Sequence, residues 1–323
     1  MSTSLLHYRS WQGEFRRPIW SVWPIARVAL LVLLRRKLFW VLYSFAMLLF
    51  LMFFFGYYLF AWAESRPELA KIQIGKANPS QQQVQDFFRK TRGVLNGGQD
   101  TFSVFYSYQG AMVVVTLALV GATLVGGDFA SRGLPFYLAK PISRWHYIGG
   151  KCLAVAIVVT LMTTVPAMGL YAQHAFDDWD YVVNTDYFLE NGISKSPAGL
   201  SLLFGVLGHG CVIAVVLSLL LVATASWMRR TIPLIMVWMS LFFFLRLVAR
   251  LLVEGLKYDV RWRLLDLWND MCLVGQWCLG INHEGIRPLP QPEYWEAGVA
   301  LAGVCLICLI YLSRRTRAIE VVR

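Results

Sequence analysis

Charge is what this 323-residue chain has least of: Asp, Glu, Lys and Arg make up 15% of it, against 57% hydrophobic residues. Charge-free runs near twenty residues long follow one another, which excludes a water-soluble fold and reads as a polytopic membrane protein. A phosphate-binding loop is missing too. The nearest fragment to GxxxxGK[ST], Gly75-Lys76, lacks the upstream glycine, the hydroxyl and the strand-to-helix setting, so the chain cannot hydrolyse ATP by itself. There is no HExxH. His283-Glu284 stops there, and His7, His146, His174 and His209 have neither a second His at ligand spacing nor a Cys pair in the same segment, which argues against metal catalysis. Six cysteines are present. Cys305 and Cys308 have CxxC spacing inside an apolar run where no thiolate is stabilised, so they read as small packing residues. Cys272 and Cys278 can bridge in an oxidising compartment, but a helical spacing of six holds them too far apart for an unstrained bond. The first thirty residues hold an early Arg pair and no small-residue cleavage site, so a cleavable signal peptide is not expected.

What is present is apolar and aromatic. Thirteen Trp and fourteen Tyr suit the aromatic belts at two bilayer interfaces. Residues 1–17 form a polar, basic tail. Residues 18–34 turn aromatic and aliphatic until Arg35, Arg36 and Lys37 stop them. One helix through that triplet would put three charges near the bilayer middle at about 2.5 to 3.5 kcal/mol each. Two elements are therefore expected, an interfacial helix over 18–34 and a first span over about 38–62; the alternative for the former is an ordinary buried helix. Further spans are expected at about 102–125, 147–171, 200–227, 232–253 and 295–312, with a kink near Pro166 where neighbours must satisfy the freed carbonyl. A basic tail, 313–323, follows. Between the first two spans, Ser80 and Gln83 have capping-box spacing ahead of a short amphipathic helix. Between the last two, Trp262, Leu265, Trp268 and Cys272 recur at three or four residues, the pattern of a partly inserted helix.

Six spans put both termini on one side, and charge tells which. With cytoplasmic termini, the inner segments hold 17 Lys and Arg against three acids, and the outer ones 11 against 16. That asymmetry obeys the positive-inside rule. The net charge of +11 therefore reflects topology, and no basic stripe on a soluble domain suggests nucleic acid.

Two charges lie within the fifth span. Counting about 1.5 Å per residue from Ile232, Arg246 sits roughly 21 Å across and Arg250 roughly 27 Å, on one helix face. Arg250 can snorkel outward, whereas Arg246 needs a partner or a water-filled surface. They either anchor the outer end of the helix or contact an anionic lipid or cargo headgroup. His209, in the fourth span, is a packing residue or a further contact of that kind.

The stretch Gly126 to Lys151, GGDFASRGLPFYLAKPISRWHYIGGK, joins the second and third spans on the inner side. Asp128 can cap a helix entered after a Gly126-Gly127 turn, Gly133 and Pro135 end it, and Pro141 with Ser143 can start the next segment. Arg132, Lys140 and Arg144 supply polar contacts, and Trp145 and Tyr147 anchor the third span. The alternative is an ordinary loop whose basic residues only set topology. Within it, LAKPISRWHYIGGK is similar to the phrase LL(S/A)xP(I/V)SRxxxxxGK of type 2 ABC exporter permeases, through Leu138, Pro141, Ile142, Ser143, Arg144, Gly150 and Lys151. Members often carry a Glu and a Gly-Thr ahead of that phrase; here Asp128 and Gly133-Leu134 stand near those positions.

The resemblance extends over the six-span layout. It implies an all-α integral membrane protein: six transmembrane helices, an N-terminal interfacial helix, a cytoplasmic coupling loop between helices 2 and 3, and a partly helical outer segment between helices 5 and 6. It further implies a single permease domain over 1–323, set in a bacterial inner membrane. Asp128, Arg132, Lys140, Pro141, Ser143, Arg144 and Lys151 would then meet cytoplasmic ABC ATPase subunits. ATP and Mg would be held there and no cofactor in this chain. A second permease subunit, identical or related, and membrane lipids complete the partners. Cargo would be exported, or motion passed to an outer partner. Two other classes stay open: a membrane-embedded lipid-modifying enzyme using Arg246 or His209, and a scaffold or assembly factor acting through its outer loops.

Overall fold

Apolar segments that cross a bilayer must satisfy every backbone N–H and C=O within themselves, and a helix does so. In the computed structural model the described residues are 22–65, 91, 94–130, 144–177, 180–183, 199–228, 231–281 and 290–320, and the regular structure among them is helical throughout. Among these residues, six helices are long and apolar enough to span: Lys37–Phe60, Gln99–Gly121, Trp145–Phe176, Leu200–Trp227, Ile232–Gly255 and Tyr294–Arg315. The tail 1–17, most of the segment around Ser80 to Leu95 and the loop 131–143 lie outside the described residues.

Helix α1, Val22–Leu34, buries Ile25, Ala26, Ala29 and Leu33 and leaves Trp23, Val28 and Leu31 exposed. It ends where the basic triplet begins, and α2, Lys37–Glu64, starts a new helix there. Helix α3 runs Gln99–Ala130. The third span consists of α4, Arg144–Met162, and α5, Thr164–Asp177, separated by a turn at Thr163. The interruption falls one helical turn before Pro166, which has no N–H to bond the carbonyl of Met162. This span extends past the expected 147–171 at both ends. After the short α6, Asp180–Val183, come α7, Leu200–Trp227, and α8, Thr231–Met239.

The fifth span is not a uniform α-helix. A π-helical stretch, Ser240–Phe244, follows α8; α9, Leu245–Arg250, comes next; and a second π-helical stretch, Leu251–Gly255, ends the span. A 3-10 helix, Val260–Leu265, leads into α10, Leu267–Cys278, and the last span is α11, Tyr294–Glu320. The core is built from α3, α4 and α7, and α1 lies on α4. Buried share tells the same story: 61%, 56% and 67% of the second, third and fourth spans, against 11% of the first and 22% of the fifth and sixth.

Candidate functional site

The loop between the second and third spans is visible through its two arms. On the incoming arm, α3 continues helical through Gly126, Gly127 and Asp128 to Ala130. This corrects the expectation of a Gly-Gly turn with Asp128 as a new helix cap: the acid sits in the last turn of a membrane helix. Thirty-two residues of helix measure about 48 Å, longer than a hydrocarbon core of about 30 Å, so the end of α3 stands clear of the bilayer and its glycines need not break it. Arg132, Lys140, Pro141 and Ser143 lie outside the described residues. On the outgoing arm, Arg144 opens α4 and Trp145 is exposed.

Three residues of the outgoing arm explain the wording IGGK. A Cβ on Gly150 would stand 2.8 Å from Ile25 Cβ and 3.0 Å from the Val22 carbonyl oxygen, so α1 rests on bare backbone there. Tyr147 is buried, and the Lys151 ammonium lies 5.9 Å from the centre of its ring. Lys151 is only 5% exposed. It belongs to the packing at the base of the loop, where a cation over an aromatic face is stabilised once desolvated. The entry helix and the loop's outgoing arm thus form one packed piece.

The opposite face of the bundle carries the charges. Arg246 Nε stands 3.7 Å from Asp266 Oδ2, supplying the partner that its depth requires. Arg250, one turn on, is exposed and has no carboxylate at ion-pair distance among the described residues. Arg263 is nearly buried, donates 2.7 Å to Glu254 Oε1 and also donates to the Pro290 carbonyl. Arg261 pairs with Glu296 of α11 at 3.0 Å.

Helix α10 is seated inside this charged ring. Asp266 caps it, its carboxylate accepting from the Trp268 and Asn269 amides at 3.1 and 3.2 Å. The Trp268 ring occupies the space a side chain at Gly110 of α3 would need, and the Cys278 carbonyl presses on Gly205 of α7. Gln276 donates 2.8 Å to Ser103 of α3. The segment is therefore a helix inserted among the spans. Cys272 and Cys278 lie on it without a disulfide between them. Burial raises the Asp266 carboxyl, opposed by its amide donors and Arg246. Asp270 is fully buried, and neither of its oxygens has a hydrogen-bond partner among the described residues. Burial, with Asp266 nearby, pushes its carboxyl up to about 8.

His209 lies on the other side of α10, fully buried, its ring stacked at 4.2 Å on Tyr106 and pressed against Gly275. Tyr106 donates 2.8 Å to the Val206 carbonyl. Both imidazole nitrogens lack partners among the described residues. His209 meets α10 at Gly275, whereas Arg246 meets it at Asp266, and no hydrogen bond or ion pair joins His209 to either arginine among the described residues. Sequence reasoning missed Glu254, Asp266 and Asp270 as partners and as a buried acid. Their one signal was Asp266 and Asp270 four apart within the Trp262-to-Cys272 pattern. No group of three or more His, Cys, Asp or Glu able to hold a metal occurs among the described residues.

A family model, described as ABC-2 family transporter protein, matches residues 23–261, from the first turn of α1 into the 3-10 helix and across five of the six candidate spans. No curated protein matches the chain.

Proposed function

The chain belongs to the ABC-2 transporter family, and from that premise we propose that it is the permease subunit of an exporter whose ATPase is a separate cytoplasmic protein. The observation that carries this is the packed piece at the inner loop: α1 laid on Gly150, with Asp128 and Arg144 at the two ends of the loop between them. A push on such a loop moves α1, α3 and α4 together, because α1 and α4 share a core and cannot slide without opening it. Asp128 stands at the negative end of the α3 dipole, which disfavours an unpaired acid and suits a basic group on the ATPase. Arg132, Lys140 and Arg144 supply the complementary cations, Pro141 and Ser143 shape the turn, and Lys151 holds the loop's base. Two copies, or one copy and a relative, complete the membrane part, with termini and loop on the cytoplasmic side of a bacterial inner membrane. Arg246 and Arg250 receive an anionic headgroup, lipid or cargo, at the outer interface. His209, fully buried against Gly275 of α10, takes no part in that contact.

The test is purification of the tagged chain from its native membrane in mild detergent, with identification of co-purifying proteins and an ATPase assay. A stoichiometric ABC ATPase, lost when Asp128→Arg and Arg144→Glu are combined, is the expected result. A clean preparation with no nucleotide-hydrolysing partner overturns the reading.

A further inference from the structure

Asp266, Asp270, Val274 and Trp277 follow at three- and four-residue steps and so share one face of α10. Val274 and Trp277, at the far end of that face, line a cavity of about 440 Å³ with Tyr294, Trp295 and Gly298 of α11. Asp266, at the near end, is occupied by its cap bonds and Arg246. Asp270 between them is not. It has no exposed surface and no hydrogen-bond donor within reach among the described residues. An ionised carboxylate there is a buried charge with neither counter-charge nor donor, a state that proteins resolve by neutralising the group.

We propose that Asp270 is a proton-binding site: its carboxyl holds a proton while α10 is seated among α3, α7 and α11, and gives it up to water when α10 leaves that seat. The step is a plain acid–base exchange, in which the carboxyl O–H breaks and water takes the proton. It depends on no particular cargo or ATPase.

Among the described residues, every neighbouring element leaves the site without a counter-charge. On α9, Arg246 faces Asp266 and Arg250 is exposed. On the 3-10 helix, Arg263 is held by Glu254 of the second π-helical stretch, and Arg261 by Glu296 of α11. Also on α11, Tyr294 donates to the Ile281 carbonyl, and Glu293, the residue before that helix, is exposed. From α7 come Cys211, which is exposed, and His209, stacked on Tyr106 of α3 on the Gly275 side. Asp100 lies in the first turn of α3, and the first π-helical stretch carries no titratable group. Cys272 and Cys278 are neutral thiols on α10 itself. Among the described residues, Asp266 is the charge that acts on Asp270, and it works in the same direction as burial.

The sign of the linkage follows. Unseated and hydrated, the carboxyl titrates at about 4; seated, it titrates near 8. Seating takes up a proton between those values. It is strongest below about pH 4, weakens by up to roughly tenfold per pH unit through the window, and levels off above the seated value.

Full-length protein in lipid nanodiscs tests this by two readings across pH 5 to 9: the infrared band of protonated carboxyls, wild type minus Asp270→Asn, and amide-exchange protection of residues 267–278, corrected for intrinsic exchange. The expected result is a difference band present at pH 6 that fades near pH 8. Protection should fall with pH in the wild type and stay level in Asp270→Asn. Should that variant fail to insert and fold, Asp266→Asn decides in its place: it keeps a capping side chain, removes the like charge, and should shift the wild-type transition to lower pH. No carboxyl band attributable to Asp270 at pH 6, an unchanged slope of protection in Asp270→Asn, or a transition unmoved by Asp266→Asn overturns the proposal.

Discussion

Gln109 Nε2 donates 2.7 Å to the carbonyl oxygen of Met162, the carbonyl that Pro166 leaves without its helical donor. The same nitrogen reaches the Ala46 carbonyl at 3.1 Å, so one side chain of the second span ties it to the first and the third. Gln109→Leu strands the Met162 carbonyl in an apolar interior at a cost of about 1 to 3 kcal/mol. Pro166→Ala supplies the missing N–H and should recover part of that loss. Thermal unfolding of the two single variants and the double variant in detergent measures the coupling, which should be favourable by about 1 kcal/mol.

A side chain at Gly150 would meet Ile25. Gly150→Val should destabilise the protein by about 1 to 3 kcal/mol through overpacking, and by lifting α1 it should lower ATPase stimulation in the assembled complex more than Gly149→Val does. A Cβ at Gly149 meets nothing within 4 Å. An ATPase assay of the two purified complexes makes the comparison.

His209→Leu should cost less than about 1.5 kcal/mol, because it conserves volume and removes two polar atoms that have no partner among the described residues. Transport should survive. Loss of transport with an unchanged melting temperature would give His209 a role in cargo movement that its burial against α10 does not suggest.

Arg263 and Glu254 are unequal partners, since the arginine side chain is 6% exposed and the glutamate 36%. Glu254→Ala leaves a nearly buried guanidinium without its counter-charge and should cost about 3 kcal/mol. Arg263→Met leaves a carboxylate that water can reach and should cost about half as much. Chemical denaturation monitored by tryptophan fluorescence distinguishes the two, with Trp262 and Trp268 close by as reporters.

Among the described residues Arg250 has no carboxylate to release before it binds an anion. Arg250→Gln should weaken retention of an anionic phospholipid about fivefold, near 1 kcal/mol for one basic residue at a membrane surface, and raised salt should shrink the difference. Titration of phosphatidylglycerol against the purified protein, read by native mass spectrometry, checks this.

Much of the architecture was readable from cost alone. Arg35, Arg36 and Lys37 forced a break because three charges in hydrocarbon are prohibitive, and the chain breaks there. The fifth span was readable as a length but not as a shape: nothing in SLFFF or LLVEG announces a π-helical stretch, whose register depends on what packs beside it. The Gly126-Gly127 pair misled, since a turn signal in water carries less weight at the end of a long membrane helix. The site was readable by halves. Arg246 called for a partner, but Asp266 lies twenty residues further on, and only the fold brings the two together. Asp270 reads in sequence only as one of the sixteen acids of the outer segments. Its burial comes from the seat that Gly110, Gly205 and Gly275 open for α10, a property of three helices at once.

The second span also sets a timetable for synthesis. Two of its buried polar groups, Ser103 and Tyr106, find partners at Gln276 and Val206, both made later on the ribosome, while Gln109 has the Ala46 carbonyl of the first span from the start and gains that of Met162 afterwards. Ser103 waits for a residue 173 positions further along, on the order of ten to thirty-five seconds at 5 to 20 residues per second. Until then this span is a half-polar helix among lipids, while the first span, with almost nothing buried, is already at home there. A nascent chain paused before residue 276 is therefore the species on which an insertase or a membrane quality-control protease would act.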